Sequence, residues 1–227
     1  MGYAVTVSDV AAVEVVGGAP FPVRRIYCVG RNYAAHAREM GHDPDREPPF
    51  FFMKPADAVV PSGTTIPYPS KTEEYHHEIE LVVALKSGGK NIPVEKALDC
   101  VFGYAVGLDM TRRDMQSVAK KMGRPWDLSK GFDQSAPIAA IVPAEKSGHF
   151  EKGAIWLKVN GDVRQKGDLS DLIWNIAETI SFLSEYVELA AGDLIMTGTP
   201  DGVGPVGRGE EMVGHVDGLP ELRIHVQ

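Results

Sequence analysis

The sequence predicts an α+β fold that is dominated by β-strands. Short apolar segments bounded by turn residues are spread along most of the chain, whereas only three or four segments have helical character. The dipeptide Asn160-Gly161 joins two such strand segments and is typical of a two-residue hairpin turn. Many short strands with few helices favour this arrangement over a doubly wound parallel sheet.

Length and composition limit the possible functions. With 227 residues and 44% hydrophobic content, the chain can bury a large core, and we expect a short N-terminal extension (1–23) followed by one domain (24–227). The net charge of −8 argues against a nucleic-acid surface, which needs clustered Lys and Arg. No apolar run approaches the roughly 18 residues of a membrane helix, and no signal peptide is evident, so we expect a cytoplasmic protein.

Two carboxylates lie close together in the segment 76–85, which is predicted to be a β-strand. Side chains alternate along a strand, so Glu78 and Glu80 point to one side, opposite an apolar face that starts at Ile79 and Leu81. Two neighbouring carboxylates in a partly apolar space raise each other's pKa or recruit a counter-charge, and oxygen ligands suit Mg²⁺, Mn²⁺ or Ca²⁺. The alternative is that both glutamates face water on an exposed strand face.

A third carboxylate, Asp109, follows the apolar strand predicted over 101–108. A carboxylate at this position needs compensation, and it can complete an oxygen-ligand set with the two glutamates. Gly103 and Gly107 within the same strand predict close approach by another backbone.

His36 and Glu39 are three residues apart on a short predicted helix that Asn32 can cap. This spacing places both on one helix face, where the carboxylate can orient the imidazole as a general base. A surface pair on an exposed helix fits the same spacing. The proline-bearing segment 42–49 follows and is predicted to be a lid loop.

Several further segments are less specific. Lys130 precedes a glycine turn, and the sequence alone favours an exposed position for it. The basic pair at 120–121 is also expected to face solvent. A glycine-rich loop over 197–204 offers backbone N–H groups and the Thr199 hydroxyl to a carboxylate. We also expect a buried strand over 50–55 and helices over 111–122 and from Ser170 or Asp171 onward.

Five segments in order along the chain resemble the fumarylacetoacetate hydrolase family. They are 30–36 (GRNYAAH), 77–81 (HEIEL), 107–111 (GLDMT), 130–133 (KGFD) and 197–204 (TGTPDGVG). Within that family the sequence is similar to small single-domain acylpyruvate hydrolases of the fumarylpyruvate type.

The resemblance implies a mixed β-sandwich roll, a homodimer and one Mg²⁺ or Mn²⁺ per subunit. It also implies roles for individual residues. The implied site residues are His36 and Glu39 as the water-activating pair, Lys130 as cationic stabiliser, Arg31, Arg113, Gln116 and Thr199 as substrate contacts, and Glu78, Glu80 and Asp109 as metal ligands.

The activity that the resemblance implies is hydrolysis of the C–C bond of a 3-acylpyruvate, with fumarylpyruvate giving fumarate and pyruvate. Decarboxylation of oxaloacetate and metal-dependent isomerisation of a 2-oxo diacid stay open as alternatives. A binding protein without activity is disfavoured, because each position of the implied site holds a chemically competent residue.

Overall fold

The computed structural model describes residues 4–6, 9–33 and 47–227. These residues form eighteen strands, five α-helices and three 3₁₀ turns at Ala56–Ala58, Leu98–Cys100 and Leu169–Asp171. The strands are β1 (Ala12–Val13), β2 (Phe21–Pro22), β3 (Arg25–Gly30), β4 (Phe50–Lys54), β5 (Val59–Pro61), β6 (Thr65–Ile66), β7 (Tyr75–His77), β8 (Ile79–Leu85), β9 (Val101–Leu108), β10 (Thr111–Arg112), β11 (Ala136–Ile138), β12 (Val142–Pro143), β13 (Ala154–Val159), β14 (Asp162–Asp168), β15 (Asp193–Met196), β16 (Gly204–Pro205), β17 (Glu211–Val216) and β18 (Leu222–Val226). The helices are α1 (Val94–Ala97), α2 (Arg113–Met122), α3 (Asp127–Lys130), α4 (Ala144–Ser147) and α5 (Ile176–Tyr186).

Two large sheets form the two layers of the fold. The eight-stranded sheet has the order β4-β3-β15-β8-β9-β11-β5, with β12 also paired to β9, and the five-stranded sheet has the order β14-β13-β17-β18-β6. The larger sheet is mixed, since β15 runs parallel to β3 and antiparallel to β8. The prediction of a β-dominated α+β fold with a mixed β-sandwich is therefore confirmed.

Strand β8 lies in the middle of the larger sheet and is buried on both faces. Its odd-numbered residues from Ile79 to Leu85 belong to the core cluster that contains residues of both sheets, whereas Val82 and Ala84 belong to a second cluster that includes the strands β1 and β2. The predicted alternation is confirmed, but neither face is exposed to water. Strand pairing also breaks at Glu78, which separates β7 from β8.

The Asn160-Gly161 hairpin is confirmed. Both residues have positive φ, 51° and 88°, as a type I′ turn requires. At the N-terminus, β1 and β2 pair as an antiparallel hairpin whose Phe21 stacks on Phe102 with ring centroids 5.2 Å apart. The division of the chain at residue 23 stays a prediction.

Two helix starts differ from the expectation. Helix α2 begins at Arg113 because Thr111 and Arg112 pair with β7. Helix α5 begins at Ile176 instead of near Ser170, since Asn175 caps it in a reciprocal capping box with Glu178. Residues 169–171 form a separate 3₁₀ turn.

Strand β4 was expected to be buried, but it lies at the edge of the larger sheet. Its three phenylalanines are half-buried and only Lys54 is fully buried. None of the described helices combines the length and the apolar character needed to cross a bilayer.

Gly103 allows the close backbone approach that the sequence predicts. A Cβ at this position would lie 2.4 Å from the backbone oxygen of Val142 in β12. Only a residue without a side chain permits β12 to pair with β9 at this distance.

Replacing Gly103 with Ala should lower the free energy of unfolding by about 1–3 kcal/mol, because β12 must move to accommodate the methyl group. Urea unfolding followed by circular dichroism measures the change. The matched control is Gly207→Ala, whose Cβ would meet its nearest neighbour, the Glu210 side chain, at 3.5 Å. Equal effects of the two substitutions would contradict the close approach.

Candidate active site

Three carboxylates meet at one end of the β8–β9 pair. Oxygen atoms of Glu78, Glu80 and Asp109 lie within 4.8 Å of one another, and all three residues are buried. The antiparallel register places Ile79 opposite Leu108, and the backbone N–H of Asp109 donates to the carbonyl oxygen of Glu78 (2.9 Å). Strand pairing thus brings together the three residues that the sequence predicts as metal ligands.

Three cationic side chains surround these carboxylates. Lys130 Nζ donates to Glu78 Oε2 (2.9 Å) and to Asp109 Oδ2 (2.7 Å). Arg113 donates to the other oxygen of Glu78, and Lys54 Nζ lies 2.8 Å from Asp109 Oδ1. Lys130 is therefore buried, and the alternative of an exposed lysine is wrong.

Lys54 is a site residue that the sequence analysis missed. Its ammonium group is fully buried and donates to the carbonyl oxygens of Met110 (3.0 Å) and Lys130. Asp109 Oδ1 is buried and has this ion pair but no hydrogen-bond donor. A lysine at the end of an aromatic strand was the available signal.

The carboxylate group fits a divalent cation. Burial, followed by the negative charges of Asp109 and Glu78, raises the pKa of Glu80 well above its usual value. The backbone N–H of Gly198, which donates to Glu80 Oε2 (2.7 Å), acts in the opposite direction. A hard cation held by the oxygens would offset both the burial and the repulsion, and Asp109 Oδ1 retains lone pairs for it.

Two of the three carboxylates, Glu78 and Glu80, line a small cavity of about 40 Å³. The cavity adjoins a groove of about 530 Å³ with aromatic walls formed by Phe50, Phe52 and Trp126. His36 and Glu39 lie outside the described residues. Every other predicted catalytic or substrate-binding residue lines the cavity, together with two of the metal-ligand candidates: Arg31, Glu78, Glu80, Arg113, Gln116, Lys130 and Thr199.

Positive charges converge on the cavity. Arg31 has φ of 57°, a strained conformation for a residue with a side chain, and its guanidinium lies 5.1 Å from the centre of the Phe50 ring. Lys120 also lines the cavity and is exposed to solvent there, so its expected solvent-facing position is confirmed. Burial, then the charges of Arg31 and Arg113, lower the pKa of Lys120. Cations held this close together favour an anionic ligand.

Arg113 is held in place by its neighbours on one side of the cavity. It donates to Gln116 Oε1 and, through Nε, to His76 Nδ1 (3.3 Å). Burial, then Arg113, lowers the pKa of His76 to about 4, so this imidazole is neutral at neutral pH and accepts the hydrogen bond. Gln116 and Arg113 are thereby oriented together.

The helix that Asn32 is predicted to cap lies outside the described residues, but the contacts of the Asn32 side chain with the rest of the chain are described. This side chain donates to the carbonyl oxygens of Trp174 (2.9 Å) and Thr197 (2.8 Å) and accepts from the N–H of Trp174 (2.8 Å). It therefore connects the end of β3 to the loop that carries Thr199.

Comparisons with known proteins agree with this geometry. The model of the fumarylacetoacetate (FAA) hydrolase C-terminal domain matches residues 25–227. The structure of a fumarylpyruvate hydrolase from Pseudomonas aeruginosa, in complex with Mn²⁺ and pyruvate, is 56% identical with a TM-score of 0.97 and coverage of 99% of both chains. The mitochondrial oxaloacetate tautomerase FAHD1 of Homo sapiens is 45% identical over 204 residues, which are 90% of this chain and 92% of the relative. A mitochondrial oxaloacetate decarboxylase of Dictyostelium discoideum is 41% identical over 197 residues, with coverage of 86% and 90%.

Replacing Lys54 with Met should lower the free energy of unfolding by about 3–5 kcal/mol, because it leaves buried Asp109 without one of its two counter-charges. Chemical unfolding at equilibrium measures the loss. The matched control is Lys96→Met, which removes an exposed ion pair with Asp99 (3.6 Å) and should change stability by no more than about 0.5 kcal/mol. A Lys54 variant as stable as this control would show that the buried pair is not needed.

Proposed function

The chain belongs to the fumarylacetoacetate hydrolase family, and from this premise we propose that it is a metal-dependent hydrolase that cleaves the C–C bond of a 3-acylpyruvate. We propose fumarylpyruvate as the substrate, with fumarate and pyruvate as the products. The similarity to a fumarylpyruvate hydrolase along 99% of the chain supports this choice.

The observation that carries the proposal is a group of three buried carboxylates beside a cavity that is lined by cationic side chains. The three carboxylates are formally balanced by Lys54, Lys130 and Arg113, so the additional charges of Arg31 and Lys120 make the site positive. A bound divalent ion adds to this excess. A substrate with two carboxylates, such as fumarylpyruvate, suits the resulting field.

We propose that Glu78, Glu80 and Asp109 hold one Mg²⁺ or Mn²⁺. The ion would supply Lewis-acid stabilisation of the negative charge that develops on the 2-oxo group of the substrate. The Mn²⁺ and pyruvate in the similar P. aeruginosa structure support the assignment.

The side chains that line the cavity would bind and orient the substrate. Arg31 at the cavity wall would bind the distal carboxylate, while Gln116 and Thr199 would donate hydrogen bonds to the pyruvyl half. Glu78 and Asp109 account for two of the three N–H bonds of Lys130, and the third would stabilise the oxyanion.

The reaction adds water across the C–C bond. His36, supported by Glu39, would take a proton from water as the oxygen attacks the distal carbonyl carbon. The bond to the methylene carbon of the pyruvyl half then breaks, and its electron pair spreads into the adjacent 2-oxo group before that carbon is protonated. One acid and pyruvate leave, so all atoms of substrate and water are accounted for.

Conversion of oxaloacetate is the second candidate, supported by the relatives that are named as oxaloacetate tautomerase and decarboxylase. The groove of about 530 Å³ beside the carboxylate cavity favours a longer substrate than oxaloacetate. We also propose a homodimer, as the family resemblance implies, and a cytoplasmic location, as the sequence predicts.

Replacing Glu80 with Gln should abolish activity and divalent-ion binding without unfolding the protein, because it removes one charged ligand from the buried group. Metal content after chelation and reconstitution is the readout that does not depend on turnover. Glu95→Gln, on the exposed start of α1, is the control that should keep both properties. Full turnover by the metal-free protein would refute the proposed ion.

The two candidate functions differ in their need for an attacking water. His36→Ala or Glu39→Gln should reduce fumarylpyruvate hydrolysis by about 10²-fold or more. Loss of carbon dioxide from oxaloacetate should fall less, since it needs no activated water. Rates on both substrates, with and without Mg²⁺, measure the difference, with His225→Ala at an exposed position as the control. Hydrolysis that survives the His36 substitution would refute the assigned base.

A further inference from the structure

Gln165 is the one fully buried side chain of β14, an edge strand whose other residues are exposed or half-exposed. The register between β13 and β14 shifts, so that Lys158 pairs with Val163 and Leu157 with Gln165, which leaves Arg164 as an extra residue. A β-bulge of this kind turns the following side chain. As a result, a polar amide lies on the same face as Leu157, toward the core.

The Gln165 amide is fully hydrogen-bonded at both ends. Its Oε1 accepts from the backbone N–H of Ile79 (3.0 Å) and lies 2.9 Å from His77 Nδ1, while its Nε2 donates to Thr199 Oγ1 (2.8 Å) and to the carbonyl oxygen of Pro200 (3.0 Å). A backbone N–H can only donate and a carbonyl oxygen can only accept. These two backbone groups therefore determine which end of the amide is oxygen and which is nitrogen.

The orientation of the amide determines the orientation of the Thr199 hydroxyl. Because Thr199 Oγ1 accepts from Gln165, its single proton points to another partner. Thr199 lines the carboxylate cavity. We propose that Gln165 is a positioning residue that makes the Thr199 hydroxyl a hydrogen-bond donor to the oxygen atoms of the bound 2-oxo acid, a role that rests on the proposed function.

The packing of the Thr199 loop agrees with this role. A Cβ on Gly202 would lie 2.1 Å from the carbonyl oxygen of Arg164, and a Cβ on Gly167 would lie 2.8 Å from Pro200 Cβ. The loop thus lies directly against β14 at the bulge. Because Ile79 separates the two glutamates of the carboxylate group, one amide connects the carboxylate strand to the substrate-binding loop.

Two substitutions test the direction of the hydrogen bond. In Gln165→Glu, an ionised carboxylate accepts the hydrogen bond from the Thr199 hydroxyl. Thr199 Oγ1 then presents a lone pair, and no proton, to the substrate. KM for fumarylpyruvate should rise about 10-fold or more, with kcat within about twofold, as expected for loss of one hydrogen bond to a charged group. Gln165→Met, which removes the hydrogen bonds at similar volume, should raise KM less. It provides a second test if Gln165→Glu does not fold.

Three further measurements separate positioning from general structural damage. Lowering the pH should return KM of Gln165→Glu toward wild type, because a protonated carboxyl group donates to Thr199 as the amide does. In a Thr199→Val background, neither Gln165 substitution should raise KM further. Val163→Glu places a carboxylate on the exposed face of the same strand and should behave as wild type.

The proposal is overturned if folded Gln165→Met keeps the wild-type KM, or if the KM effects of Gln165 and Thr199 multiply in the double variants. Calorimetric titration with pyruvate, a product of the proposed reaction, repeats the comparison without turnover. If wild-type protein binds pyruvate but cleaves no acylpyruvate, the proposed function fails, while the pyruvate affinities of the variants still decide the role of Gln165.

Discussion

The candidate site depends on charge compensation in the protein interior. Three buried carboxylates would each be costly to desolvate alone, by several kcal/mol. The cations that balance them come from three separate elements: Lys54 from β4, Arg113 from α2 and Lys130 from α3. Each ion pair therefore also attaches one element to the end of the β8–β9 pair, and the architecture around the cavity follows from these attachments.

The same ion pairs contribute to stability and to the field of the cavity, so the two properties cannot be changed separately at Lys54 or Lys130. Gln165 differs because it is neutral. Its amide affects the direction of hydrogen bonds and leaves the total charge of the site unchanged. Gln165 thus orients hydrogen bonds while Lys54 and Lys130 compensate charge, although all three act on the same cavity.

Close backbone packing brings the loops to the site. Gly198 has φ of 100°, and its N–H reaches Glu80, while Asn32 connects the neighbouring Thr197 to Trp174. Gly202 allows the same loop to lie on the bulge of β14. The loop is thus held from three sides, which suits a segment that must present one hydroxyl group in a defined orientation.

The sequence by itself determined the features that follow local rules. Side-chain alternation in β8, the Asn160-Gly161 turn and the grouping of Glu78 with Glu80 were all evident in it, because a strand has a period of two and a two-residue turn needs positive φ. Only the tertiary structure decided which cations face the carboxylates, that Lys120 reaches the cavity and that a bulge turns Gln165 inward. These features depend on contacts between residues far apart in the chain, such as Lys54 with Asp109 and Gln165 with Thr199, and local periodicity carries no information about such pairs.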